Sequence, residues 1–209
     1  EIGVRLVGSE MCIRDSYHGD PDYYEVPIKQ MLNRQYSRDL ADQISQTRTP
    51  NGQIFAGDLR KYDESPDTTH FSIIDSKGNA VSNTYTLGYS FGSGVTIPGT
   101  GILMNNQMNN LVYKSGDVSK MGRRVSPGNK FQPGKRPMST MAPVMVFNEN
   151  NELALITGSP GGSYIPAAIL RVISGVIDFN LSIGDATMLP RVHKAVSYTH
   201  LTLPTKRIV

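Results

Sequence analysis

The sequence predicts a layered α+β fold, on three observations. Segments 68–87 and 142–158 each read as two β-type runs joined by turn residues. A strongly apolar helical stretch follows the second of them. Between them lies a glycine-rich stretch, where backbone turns repeatedly or closely approaches a ligand. The chain has 209 residues, 38% of them hydrophobic, and a formal net charge of +3. These are the values of an ordinary globular chain. No apolar run approaches the ~18 residues of a membrane-spanning helix. The charge is mild and scattered, so no nucleic-acid partner is expected, and KMGRR at 120–124 reads as a solvated loop.

The two ends differ from what lies between them. Residues 6–16 are LVGSEMCIRDS and residues 196–205 are VSYTHLTLPT. One choice of codons writes AGATGTGTATAAGAGAC in the first and its reverse complement in the second. Such inverted copies resemble transposon-based sequencing adapters. Residues 1–16 and 196–209 are therefore expected to be translated adapter and are set aside from fold reasoning. Without them 17 basic and 15 acidic residues remain. Cys12 is set aside as well, which excludes thiol nucleophiles, disulfides and zinc–cysteine sites from 17–195.

The elements follow in order. After the polar start YHGDPDYYEVP, apolar residues Ile28, Met31, Leu32, Leu40 and Ile44 predict a helix over Pro27–Ile44. Residues 46–67 have no sustained period and read as a long surface loop. TTHFSIID and AVSNTYTL alternate around the turn residues SKGN, which predicts a β-hairpin. Gly88–Gly101 carries five glycines. GILMNNQM reads as a short strand, and 112–134 as a basic Gly/Pro loop. APVMVF and LALITG around NENNE predict a second hairpin. SPGG then leads into a helix with Ile169, Val172, Ile173 and Val176 on its apolar positions. A second helix follows Ser182, with Asp185 in a capping-box position.

Chemistry concentrates at Thr68, where a polar loop ends and a strand begins with Thr-Thr-His. A threonine hydroxyl is a poor nucleophile near neutrality and needs an adjacent base. If the chain is cut just before it, its own α-amine, with a pKa of ~8, supplies that base. Taken alone, the pair reads as no more than the start of an exposed strand. Thr86 could be a strand threonine packing on a neighbour, and Gly161-Gly162 a plain glycine turn before a helix. His70 and His193 read as structural, and the histidines with scattered acids form no metal-ligand pattern.

The ordered segments TTHFSIID, GNAVSNTYTL, GILMNNQM, KRPMSTMAP and TGSPGGS resemble the small, catalytic subunit of γ-glutamyltransferase. YHGDPDYYEVP and SRDLADQI resemble the end of that family's large subunit. The resemblance implies a four-layer αββα sandwich of the N-terminal-nucleophile hydrolase type. On this pattern 17–67 ends the large subunit and 68–195 is an incomplete small subunit. Self-cleavage would fall between Asp67 and Thr68. The implied activity is transfer of a γ-glutamyl group from glutathione or another donor to water, an amino acid or a peptide, without metal or cofactor. The implied partner is the large subunit, in a heterodimer, and the implied compartment is periplasmic or secreted.

The resemblance also implies roles. Thr68 is the nucleophile, and Thr86 orients its α-amine. Gly161 and Gly162 donate backbone N–H groups to an oxyanion, a placement suited to the positive end of a helix. Ser139 and Thr140 hold the donor's α-carboxylate, and Gln107 contacts its α-amino group. Loop 112–134 occupies the place of the lid. Two positions depart from the pattern. Asn109 and Asn110 stand where the family has paired acids, the second receiving the substrate's α-ammonium. Gly88 stands where the family often has asparagine. An amide forgoes the charge-assisted hydrogen bond, roughly twice as strong as a neutral one. The departures touch the donor's amino-acid end, so an acylase accepting glutaryl-type amides is a second reading, and a non-catalytic binding homologue a third. The nucleotide sequence at both ends tests the adapter reading: the two inverted 17-base stretches are expected there, and other codons would overturn it.

Overall fold

The computed structural model describes residues 17–42, 68–113, 126–195 and 198–202. They belong to two compact units. The first comprises Glu1–Asp63, Met108–Ser139 and Val192–His200; the second comprises Glu64–Gln107, Thr140–Arg191 and Leu201–Val209.

In the first unit the expected helix is two helices, α1 (Ile28–Met31) and α2 (Arg34–Asp42). The break has a local cause. Asn33 accepts the Gln35 N–H on its side-chain oxygen at 2.7 Å, which starts a new helix and ends the old one. Ile44 lies outside the described residues. The interior of this unit is polar as well as apolar. Leu111 and Val112 are buried, and so are Asp20, Ser126 and Asn129. Asn129 donates to the Asn110 carbonyl and accepts from Met138 N at 3.2 Å. Asp20 accepts from the Arg136 backbone N at 2.8 Å, from its Nε at 3.0 Å, and from its Nη2. Those bonds hold the Asp20 carboxyl well below the usual carboxylate range. Val112 and Lys130 form a parallel bridge, so the described ends of loop 112–134 are anchored in the unit rather than loose on its surface. Residues 114–125, KMGRR included, lie outside the described residues.

The second unit holds both expected hairpins. β1 (Thr68–Ile74) pairs antiparallel with β2 (Ala80–Thr86). Asp75 closes their turn by accepting the N–H groups of Lys77 and Asn79, each at 2.8 Å. β3 (Val144–Phe147) pairs antiparallel with β4 (Leu153–Thr157), with a bulge at Val146/Phe147. GILMNNQM departs from expectation. It forms one isolated bridge, Thr96–Leu103, and then a 3-10 turn, Gln107–Asn110, rather than a strand. The five glycines between Gly88 and Gly101 all have positive φ, which bends the chain too often for a ladder to extend.

The apolar core of this unit is α3 (Ile165–Ile177), which buries Ile165, Ala167, Ala168, Ile169 and Val172. It packs beside β4 and against α4 (Ile183–Met188). A Cβ at Gly175 would stand 3.0 Å from Ala186 Cβ, so glycine permits the close approach of the two helices. Ser182 caps α4: its hydroxyl accepts the Asp185 N–H at 3.0 Å and donates to the Asp185 carboxylate at 2.7 Å. β5 (Arg191–Ala195) and β6 (Tyr198–Thr202), most of whose residues belong to the first unit, form a third two-stranded sheet. Residues 1–16 lie outside the described residues. Among the described residues no helix is long and apolar enough to cross a membrane.

Two substitutions in the full-length protein test this packing. Ile165→Ala empties a fully buried site and is expected to cost about 3 kcal/mol. Ser182→Ala removes a cap and is expected to cost about 1 kcal/mol. Urea unfolding midpoints check both; equal effects would contradict the assignment of Ile165 to the core.

Candidate active site

The geometry of the site begins with a register. In the β1–β2 ladder Thr68 stands directly opposite Thr86, His70 opposite Thr84, and Ser72 opposite Ser82. Side chains two apart on a strand share a face, so these five hydroxyls and one imidazole line one side of the hairpin. The other side carries Phe71, Ile73, Val81 and Tyr85, which are all exposed.

The polar face is the one turned to the end of β4. Ser82 donates its hydroxyl to the Thr157 carbonyl at 3.2 Å. One residue later, the His70 ring fills the space where a Cβ at Gly158 would stand, so no larger residue fits there without displacing the ring. The loop Gly158–Gly162 therefore leaves β4 beside His70, two residues along the strand from Thr68. His70 is locked on both nitrogens: Nδ1 lies 2.8 Å from Thr84 Oγ1 and Nε2 lies 3.0 Å from Ser72 Oγ. Burial pushes its pKa below the ordinary 6.5. The imidazole thus joins hydroxyls of both strands and backs the loop.

Gly161 and Gly162 have φ values of 120° and 56°, in the region that favours glycine. Gly161 O accepts the Tyr164 N–H at 2.9 Å, which opens a 3-10 turn, Gly162–Tyr164, leading into α3. Among the described residues neither Gly161 N–H nor Gly162 N–H has a hydrogen-bond partner. Two adjacent N–H groups ahead of a helix form a ready site for a developing negative charge.

At the far end of β2, the Thr86 hydroxyl accepts the Gly88 N–H at 2.9 Å. Gly88 has φ +95°, and a Cβ there would meet the Asn106 carboxamide, with Gln107 Nε2 at 3.5 Å. Asn106 N donates to Leu87 O at 2.9 Å. Thr86, Gly88, Asn106 and Gln107 are thus one cluster at the strand end that faces Thr68. Thr140 is half-buried ahead of β3. Asn110 and Ser139 belong to the first unit, where the Asn110 carbonyl receives Asn129. Asp67 lies outside the described residues. Among the described residues no group of three His, Cys, Asp or Glu side chains is placed to hold a metal. Asn106 lies inside the NNQM segment, where the asparagine repeat beside Gln107 is its sequence signal.

Comparison with known proteins gives the family. A family described as Gamma-glutamyltranspeptidase matches residues 10–206. The chain is 41% identical over 181 residues to the glutathione hydrolase proenzyme of Escherichia coli, covering 86% of this chain and 31% of that protein. It thus spans about a third of the length of the curated relatives it matches. A crystal structure of a Helicobacter pylori gamma-glutamyltranspeptidase mutant matches 61% of this chain and 68% of that one, at TM-score 0.57 and 44% identity. A cephalosporin acylase from Bacillus halodurans shares the fold across 92% of this chain and 32% of its own, at TM-score 0.69 and 24% identity.

The His70 contacts carry a pH dependence. Burial favours the neutral ring, so the stability it contributes is intact above pH 6.5 and declines as the pH falls through the depressed pKa. In the full-length protein, His70 is expected to titrate below 6.5 by NMR. His70→Gln is expected to flatten the acid side of the stability profile, and an unchanged profile would refute the assignment.

Proposed function

The chain belongs to the gamma-glutamyltranspeptidase family, and on that footing we propose that it carries the catalytic centre of a self-cleaving γ-glutamyl transferase and hydrolase, with Thr68 as nucleophile. The observation that carries this reading is the register that sets Thr86 opposite Thr68. It supplies a hydroxyl at the one place where the α-amine of a newly freed Thr68 needs orientation.

Maturation would begin with the Thr68 hydroxyl attacking the Asp67 carbonyl carbon. The acyl group shifts from nitrogen to oxygen, which frees the Thr68 amine, and water then hydrolyses the ester to release the Asp67 carboxylate and restore the Thr68 hydroxyl. In turnover that amine takes the hydroxyl proton as Oγ1 attacks the donor's γ-carbonyl carbon. Charge develops on the carbonyl oxygen, and Gly161 and Gly162 N–H groups receive it; one such donor lowers a barrier by roughly 3 kcal/mol. The protonated amine returns its proton to the leaving amine, which leaves an ester on Thr68. Water, an amino acid or a peptide then attacks that ester in the reverse sense. No step calls for a metal or cofactor.

Gln107, Ser139 and Thr140 would hold the donor's amino-acid end. The substrate class is glutathione and other γ-glutamyl amides, and the structural partner is the rest of the same proenzyme. The exposed apolar face of β1–β2 supports a further sheet-covering layer, and with it the four-layer αββα arrangement. The uncharged Asn109 and Asn110 favour one alternative, an acylase of the same superfamily that accepts donors lacking an α-ammonium, such as glutaryl amides.

Mass spectrometry of the full-length protein is expected to show a new chain starting at Thr68. Thr68→Ala is expected to abolish both that cut and turnover of γ-glutamyl anilide. An uncut, inactive parent protein would instead favour a binding homologue, and preference for glutaryl anilide would favour the acylase.

A further inference from the structure

We propose that Asn106 is a specificity-determining residue that receives the donor's α-ammonium on its side-chain oxygen. This rests on the acyl-transfer reading above and names how its donor is selected. Position 88 cannot carry a side chain in this chain. Its φ of +95° disfavours any residue with a Cβ, and the space a Cβ would enter is already filled by the Asn106 carboxamide, whose Cγ stands 3.0 Å away. Asn106 thus presents an amide over Gly88, from a different segment of the chain.

Three observations make that amide a ligand group rather than a structural tie. First, its backbone is fixed by the bond from Asn106 N to Leu87 O at 2.9 Å, so the side chain is held in place without using its own polar atoms. Second, the half-buried carboxamide makes no hydrogen bond of its own among the described residues. Partial burial of an unbonded amide is costly unless something polar meets it. Third, it lies within the cluster of Thr86, Gly88 and Gln107, at the end of β2 that faces Thr68. An ammonium brought to this cluster finds a carbonyl oxygen there.

Two anilides separate the ammonium from the rest of the donor. Glutaryl anilide keeps the carboxylate and the scissile amide of γ-glutamyl anilide and lacks only the α-amino group. In the full-length protein, Asn106→Ala is expected to raise KM for γ-glutamyl anilide about tenfold, the worth of one hydrogen bond to a charge. Its KM for glutaryl anilide and both kcat values are expected to stay within about twofold. Asn106→Asp keeps the shape and adds the charge, so it is expected to lower KM for γ-glutamyl anilide alone. Self-cleavage at Thr68 reports that each variant is folded, and the Asp variant decides the matter if the Ala variant is not. An unchanged ratio between the two substrates in both variants, equal losses on both, or a change confined to kcat would overturn the proposal. A parent protein that turns over neither anilide would instead overturn the acyl-transfer reading.

Discussion

The arrangement depends on one register, the pairing of Thr68 with Thr86 in a two-stranded ladder. A slip of one residue would turn Thr68, His70 and Ser72 to the opposite side of the hairpin and bring Phe71 and Ile73 in their place. Several interactions hold the register. The Asp75 turn sets its length by accepting two backbone N–H groups. His70 joins the strands through Thr84, its direct partner across the ladder. Ser82 ties the same face to the end of β4. The polar face of the hairpin is thereby committed to the site.

That commitment explains the distribution of glycine. Gly158 has no side chain because the His70 ring occupies its place, and Gly161 and Gly162 adopt a backbone that bulkier residues avoid. The loop leaves β4 against β1 and turns at once into α3, whose Ile165 is fully buried. An apolar helix thus anchors two N–H groups that have no partner among the described residues, and that rigidity is what a charge-stabilising site requires. At the other end of β2 the same economy of space operates: Gly88 is bare, and the Asn106 carboxamide covers it.

The first unit solves a different problem. Its interior holds a carboxylate and an asparagine, which are expensive to bury unless each lone pair and proton is met. Asp20 is met three times by Arg136, and Asn129 reaches both Asn110 and Met138. These contacts join sequence-distant segments and anchor both described ends of the basic loop. A loop that composition alone presents as loose is tethered by buried polar bonds at its base.

Local chemistry was legible in the sequence wherever it was self-contained. Both hairpins, the Ser182 cap, the turns of the glycine-rich stretch and the apolar face of α3 follow from periodicity, turn residues and propensity, which act over a few residues. The threonine that begins the first hairpin and the glycines that precede α3 stood out for the same reason. What depends on segments far apart in the chain was decided by the tertiary structure. Two departures are local all the same: the helix expected over 27–44 breaks because one asparagine competes for the backbone two residues on, which apolar spacing does not register. GILMNNQM keeps a single bridge to the segment before it, because repeated positive φ values stop the ladder from extending. The burial of Asp20 by Arg136, the ring of His70 against Gly158 and the amide of Asn106 over Gly88 each join residues with no local signature of their meeting. A sequence specifies which groups are available and what backbone each tolerates. Packing decides which of them face one another, because only there does desolvation force every polar atom to find a partner.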